Sequence, residues 1–221
     1  MIPLKDLNPR LTTPVMTFLI IVVNVGVFLY QVSLGQHAGQ ALAYVYGIIP
    51  ARIPEALTTS SVTLPQAFLP LVTSMFLHGG WFHLIGNMWF LWIFGDNIED
   101  QFGHFGYLLF YLFSGIGAGL THAVMNLGSG APAIGASGAV SGVMGAYMVF
   151  FPRSRVLTLV PFFVFFTVQL PAVVVLGYWF LIQFLSGVGS LGLHTDTGVA
   201  FWAHIGGFLL GVLVALGTKL R

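Results

Sequence analysis

Apolar residues fill this chain in runs too long for a soluble core, and the polar residues between them mark where each run stops. A membrane-spanning helix needs about 20 apolar residues. The first such run extends from Pro14 to about Leu34. The second starts near Trp81 and ends near Ile98, ahead of Glu99 and Asp100. From Gln101 to Pro152 there is no Asp, Glu, Lys or Arg, and two runs fit there, about Phe105 to Met125 and Ser137 to Phe151, split by a Gly/Ser/Pro loop. A fifth runs from about Leu170 to Gly187 and a sixth from about Val199 to Thr218. Leu64 to Leu77 and Val156 to Gln169 are also apolar, but Pro65, Pro70, Pro161 and Pro171 interrupt or bound them. These two read as interfacial or loop segments. The pattern predicts an all-α, polytopic membrane protein of six transmembrane helices. Residues 1–13 would be a short cytoplasmic segment, 14–218 the helical domain and 219–221 a cytoplasmic end.

Composition agrees. The 221 residues are 57% hydrophobic and 6% charged, where a soluble domain carries roughly 25% charged residues. Lys5 and Arg10 before the first run resemble the start of a signal peptide, but the uncharged stretch outlasts an h-region and more spans follow. A retained first helix is expected. The net charge is +1 and the seven Lys and Arg are scattered, so no basic patch points to nucleic acid. The lack of Cys excludes disulfides, thiolate nucleophiles and thiolate metal sites. Cations mark the cytoplasmic side of a membrane protein. With the N-terminus inside, Lys5, Arg10, Arg153, Arg155, Lys219 and Arg221 are all cytoplasmic and only Arg52 is outside. Both termini are then cytoplasmic, and a bacterial inner membrane is the expected location.

In that orientation the second, fourth and sixth helices enter from the outer side, and each carries polar residues near its entrance: His83 with Asn87, Ser137, and His204. Ser137 to Phe151 spans about 22 Å at 1.5 Å per residue, against a hydrocarbon core about 30 Å thick. With its inner end held near Arg153, its first residue must lie below the outer surface. Irregular backbone at that depth is tolerated only inside protein or beside a water-filled cavity, so a sunken, wet site is expected around Ser137. Ser137, Ser141 and Gly145 form one row of small residues, Gly138, Gly142 and Ala146 the next, and His204, Gly207, Gly211 and Ala215 line one face of the sixth helix. Small residues at these spacings let membrane helices approach closely. The fourth and sixth helices should therefore meet, bringing His204 beside Ser137.

A serine attacks a carbonyl only when a base takes its proton. His204 is the candidate base, and burial disfavours the charged imidazole that could not act as one. His83 and Asn87, four residues apart on one helix face, could both donate to an oxyanion, with the Ser137 backbone N–H as a third donor. No carboxylate stands near this depth, which suggests a Ser–His dyad. Taken singly, Ser137 reads as an N-cap and each histidine as a packing residue. Their shared depth is what argues for chemistry. His78 reads as interfacial, and His37, His104, His122 and His194 fall mostly in or near predicted loops. Asp96, Glu99 and Asp100 read as the solvated cytoplasmic end of the second helix. A transporter would favour buried acids or inverted repeats, and neither is visible. The zinc-protease HExxH motif and a pair of intramembrane aspartates are also absent.

Three motifs, His83-Leu84-Ile85-Gly86-Asn87, Gly135-Ala136-Ser137-Gly138 and Ala203-His204-Ile205-Gly206-Gly207 with Gly211, resemble in order and placement those of the rhomboid intramembrane serine proteases. The resemblance covers nearly the whole chain as a six-helix core. It implies Ser137 as nucleophile and His204 as base, with Asn87, His83 and the Ser137 backbone as the oxyanion hole and Gly135 shaping its loop. It further implies substrates that are transmembrane proteins within the lipid bilayer, a small residue before the cut, a locally weak substrate helix, and neither cofactor nor metal. Some bacterial members carry a Tyr four residues after the nucleophile, stacked on the catalytic His. Here that position is Ser141, which leaves the bracing of His204 to Trp202 or to an aromatic of the fifth helix. A catalytically dead relative acting as a chaperone or binding factor usually lacks the Ser or His, and both are present.

Overall fold

Backbone that lies out of water must satisfy its own hydrogen bonds, and the long apolar runs do so as helices. The computed structural model describes residues 1–161, 165–193 and 199–220. Its helices are α1 (Val15–Ser33), α2 (Gly35–Tyr46), α3 (Arg52–Thr58), α4 (Leu64–Phe68), α5 (Pro70–Thr73), α6 (Trp81–Met125), α7 (Ser137–Phe150), α8 (Ala172–Leu193) and α9 (Phe201–Lys219), with a 3₁₀ turn at Ser74–Phe76. Among the described residues four helices are long and apolar enough to cross a membrane: α1, α6, α8 over Ala172–Leu191, and α9. α6 has 45 residues, roughly 68 Å at 1.5 Å per residue. Gly103 breaks it with φ 68° and ψ 163°, a positive φ that glycine adopts without penalty. The break falls between the second and third apolar runs of the sequence. α7, at 14 residues, is only about 21 Å long.

The expectation of an all-helical chain needs correction. A three-stranded antiparallel sheet is ordered β1 (Ile2–Asp6), β2 (Arg155–Pro161), β3 (Phe165–Pro171). β2 and β3 pair from Arg155 opposite Pro171 to Pro161 opposite Phe165, and β1 lies along β2 with Ile2 opposite Leu159 and Asp6 opposite Val156. Val156, Thr158, Val160, Phe166, Thr167 and Val168 supply the β-branched and aromatic content that fits strands, and the flanking prolines oppose a helix. β1 is tied to the body beyond the sheet. The Trp89 indole donates to the Pro3 carbonyl at 2.8 Å and the Tyr147 hydroxyl to Asp6 at 2.9 Å. Burial pushes the Asp6 carboxyl above its ordinary pKa, with the Tyr147 hydrogen bond opposing. His194 and Arg221 lie outside the described residues.

Of the acids at the end of the second apolar run, Glu99 departs from the expected solvated helix end. Glu99 is buried and accepts the backbone N–H groups of Met16 at 2.8 Å and Thr17 at 2.7 Å, together with the Thr17 hydroxyl at 2.7 Å. It also pairs with His104, so that histidine is a structural partner within α6 rather than a loop residue. Asp100 accepts from the N–H groups of Leu11 at 2.6 Å and Thr12 at 2.9 Å. Neither Pro14 nor any other side chain at the start of α1 caps its first turn. The Glu99 carboxylate fills that role, where unpaired N–H groups and the helix dipole favour an anion. It thereby pins α1 to α6.

α7 is the centre of the molecule, buried from Gly138 to Tyr147 without interruption. Its glycines are the reason. A Cβ at Gly138 would stand 2.6 Å from the Ala118 side chain, and one at Gly142 would stand 2.5 Å from Ser114, both on α6. On the other side, Cβ atoms at Gly207 and Gly211 of α9 would overlap the carbonyls of Gly138 and Gly142. The two small-residue rows therefore meet as backbone against backbone. This close approach brings the N-terminal ends of α7 and α9 together.

Candidate active site

Ser137 is the first residue of α7 and His204 the fourth of α9. The packing of those helices sets the Ser137 Oγ 2.8 Å from the His204 Nε2. The other ring nitrogen, Nδ1, lies 2.7 Å from the Gln183 Oε1 of α8. An amide oxygen can only accept, so Nδ1 carries the proton and Nε2 is left to accept from the Ser137 hydroxyl. The ring of Trp179, one turn before Gln183, sits 5.7 Å from the His204 ring. Trp202 lies instead near Gly187. The Ser141 hydroxyl donates to the Ser137 carbonyl at 2.6 Å.

The loop before Ser137 is irregular, and its backbone is tied to two other segments. Ile48 and Ala133 exchange hydrogen bonds at 2.9 and 2.8 Å, Ala51 N–H donates to Ser129 O at 3.0 Å, and Gly135 N–H donates to Ser74 O at 2.9 Å. Gly135 has φ 124°, a region that side chains other than glycine rarely adopt. It is also crowded. A Cβ there would lie 2.6 Å from the His83 Nε2 and 3.6 Å from the Asn87 Nδ2. Both α6 side chains thus converge on the stretch of backbone that leads into Ser137.

Their donors face the site. The His83 Nδ1 accepts from Gly79 N–H at 3.3 Å, which leaves its proton on Nε2, on the edge of the ring that a Gly135 Cβ would meet. Asn87 is buried and its Nδ2 has no hydrogen-bond partner. A buried amide left unpaired costs free energy, so a polar group that arrives only during function is a natural acceptor. His78, expected at the mouth of the second helix, is buried, its ring 5.2 Å from that of His83, and the Gln31 side chain holds its backbone, accepting from the N–H at 3.0 Å.

All five residues singled out in the sequence, Ser137, His204, Asn87, His83 and Gly135, lie in one locality. Ser137, His204, His83 and Asn87 line a cavity of about 770 Å³ together with Phe90, Trp179 and Met144. His122, given no role from the sequence, lines it too. Gln183 is absent from the residues singled out in the sequence, although an amide within an apolar run is the same kind of signal that marks Asn87. The arrangement holds a hydroxyl against an imidazole nitrogen, in a cavity that two side chains with N–H donors also line.

The profile of the Rhomboid domain matches residues 65–220. The chain is 36% identical over 126 residues to Rhomboid-like protein 11, chloroplastic, of Arabidopsis thaliana, which covers 57% of this chain and 39% of that protein. It is 37% identical over 141 residues to the same plant's RHOMBOID-like protein 6, mitochondrial, covering 64% and 40%. To Rhomboid protein 1, mitochondrial, of Saccharomyces cerevisiae it is 31% identical over 152 residues, covering 66% and 40%. The chain thus spans about two fifths of the length of these relatives.

Proposed function

Since the chain belongs to the rhomboid family, we propose that it is an intramembrane serine endopeptidase whose substrates are transmembrane segments of other membrane proteins. The observation that carries this is the 2.8 Å contact between the Ser137 hydroxyl and the His204 Nε2 inside a cavity that also holds the unpaired Asn87 amide. His204 takes the hydroxyl proton as Ser137 Oγ attacks the scissile carbonyl. The oxyanion of the tetrahedral intermediate accepts from Asn87 Nδ2–H, His83 Nε2–H and the Ser137 backbone N–H. His204 then returns the proton to the leaving amine, and water hydrolyses the acyl-enzyme by the same route in reverse. No cofactor or metal takes part.

Residues 14–218 form the protease core and cross the membrane six times: α1, the parts of α6 on either side of Gly103, α7, α8 and α9. The grouping of cations supports both ends facing the cytoplasm. Lys219 donates to the Val149 carbonyl near the C-terminal end of α7 at 3.2 Å, and Lys5 and Arg155 sit on paired strands. Arg52 adjoins the loop before α7, where Ala51 meets Ser129. The active site then opens toward the outer side. The relatives with organelle names are chloroplastic and mitochondrial, so the expectation of a bacterial inner membrane gains nothing from them.

The direct test is a fluorophosphonate probe, which forms a covalent bond only with an activated serine. Wild-type protein in detergent is expected to be labelled at Ser137, and Ser137→Ala to be unlabelled. Equal labelling of the two forms, or none in a wild type that also fails to cleave transmembrane substrates, would overturn the protease reading.

A graded result is expected at the oxyanion donors. Removing one such donor from a soluble serine protease costs about 10²–10³ in kcat. With two donors left, Asn87→Ala and His83→Ala should each lose about 10- to 10³-fold in kcat with little change in KM, and stay above the Ser137→Ala background. Their double variant should be slower than either single one. Full activity in Asn87→Ala would mean that the oxyanion lies elsewhere.

A further inference from the structure

We infer that Gln183 is a positioning residue for the hydrolysis, holding the His204 imidazole in the tautomer and orientation that the Ser137 hydroxyl needs. This rests on the protease reading of the same site and deepens it. The Nδ1–Oε1 separation of 2.7 Å and the Nε2–Oγ separation of 2.8 Å place Gln183, His204 and Ser137 in one chain of hydrogen bonds, drawn from α8, α9 and α7 in turn.

The placement follows from how α8 packs. Leu176, Trp179, Gln183 and Gly187 recur at spacings of three and four, which puts them on one helix face. That face is turned to α9. The Trp179 ring lies 5.7 Å from His204 and 6.1 Å from Phe208. A Cβ on Gly187 would stand 3.0 Å from Ile205 and 3.5 Å from Phe201. Gln183 sits between those two anchor points and so faces the first turn of α9, where His204 projects. The side chains that could otherwise titrate beside His204, His83 and His122 on α6, line the same cavity.

The chemistry requires such a group. A neutral imidazole has two tautomers, and only the one protonated at Nδ1 leaves Nε2 free to take the serine proton. In a soluble triad a carboxylate selects that tautomer, and replacing it with a group that selects the wrong one costs about 10⁴ in kcat. Gln183 makes the same selection without a charge. Its oxygen accepts from Nδ1–H, and it avoids placing a carboxylate in a membrane interior, where an isolated charge is costly. Trp179 flanks the ring but offers no acceptor to Nδ1, so the two residues divide the work of restraint and tautomer selection.

The test compares wild type with Gln183→Leu, which keeps the approximate volume and removes the acceptor, and Gln183→Glu, which keeps an acceptor oxygen at the same reach. Gln183→Leu should lower kcat by at least about 10-fold, and by less than the ~10⁴ of tautomer reversal, while KM and the thermal midpoint stay near wild type. Gln183→Glu should recover most of the lost rate. Histidine ¹⁵N NMR, with the His204 signals assigned from a His204→Ala control, should show Nδ1 protonated and Nε2 bare in wild type and a mixture of tautomers in Gln183→Leu. Wild-type rates in Gln183→Leu, a loss of kcat that follows a fall in thermal midpoint, or unchanged ¹⁵N signals would overturn the assignment. If the wild type proves inert to fluorophosphonate and substrate alike, the protease reading falls, and the ¹⁵N comparison alone then decides whether Gln183 sets the tautomer.

Discussion

Ser137→Ala and His204→Ala are each expected to reduce cleavage of a transmembrane substrate to background while the protein stays folded. The size of the effect follows from the chemistry. In a soluble serine protease the loss of either nucleophile or base costs about 10⁶ in kcat. What remains there comes from oxyanion donors and binding, which act on an attacking water instead. Here neither variant retains a group that can replace the hydroxyl or the imidazole at the 2.8 Å contact. Ser137→Ala removes one oxygen from a half-buried position and leaves the α7 backbone untouched. His204→Ala frees the Gln183 oxygen but leaves the glycine seam of α9 in place. Both thermal midpoints should therefore lie within about 4 °C of wild type, the shift that roughly 1 kcal/mol produces in a chain of this size. Measured cleavage in either purified variant, above that of a heat-inactivated sample, would remove the pair from the mechanism.

Much of this site is legible in the sequence because its signals are local. Ser137, Asn87, His83 and His204 are polar residues in apolar runs, and such residues carry a cost that demands a reason. The glycine rows are local too, since spacing alone puts Gly207 and Gly211 on one helix face. What escapes is set by partners far along the chain. Ile2–Asp6 is too short for a period to show, and it becomes a strand because β2, some 150 residues later, offers an edge. Val156 to Gln169 is as apolar as a span, and only its prolines and β-branched residues separate it from one. Glu99 sits next to Asp100 at the end of an apolar run, which reads as a wet helix end. Its real partners are the N–H groups of Met16 and Thr17. Gln183 carries the same signal as Asn87, but its meaning depends on which face of α8 meets α9.

Gly211→Ala, a change of one methyl group seven residues from His204, is expected to cost both stability and activity. The methyl would overlap the Gly142 carbonyl, and no side chain can move aside to admit it because the obstacle is backbone. Overpacking a tight core costs typically 1–3 kcal/mol, and occasionally more. With 2–4 °C lost per kcal/mol, the thermal midpoint should fall by about 2–12 °C. The helices can relieve the overlap only by separating. Ser137 and His204 stand on opposite sides of that seam, so separation lengthens their hydrogen bond and fluorophosphonate labelling of Ser137 should slow along with cleavage. Gly217→Ala is the control. It lies on the same helix with nothing within 4 Å of the added carbon, and it should leave midpoint, labelling and cleavage near wild type. A Gly211→Ala protein as stable and active as Gly217→Ala would show that α7 and α9 do not meet backbone to backbone. The glycine seam would then not be what brings serine and histidine together.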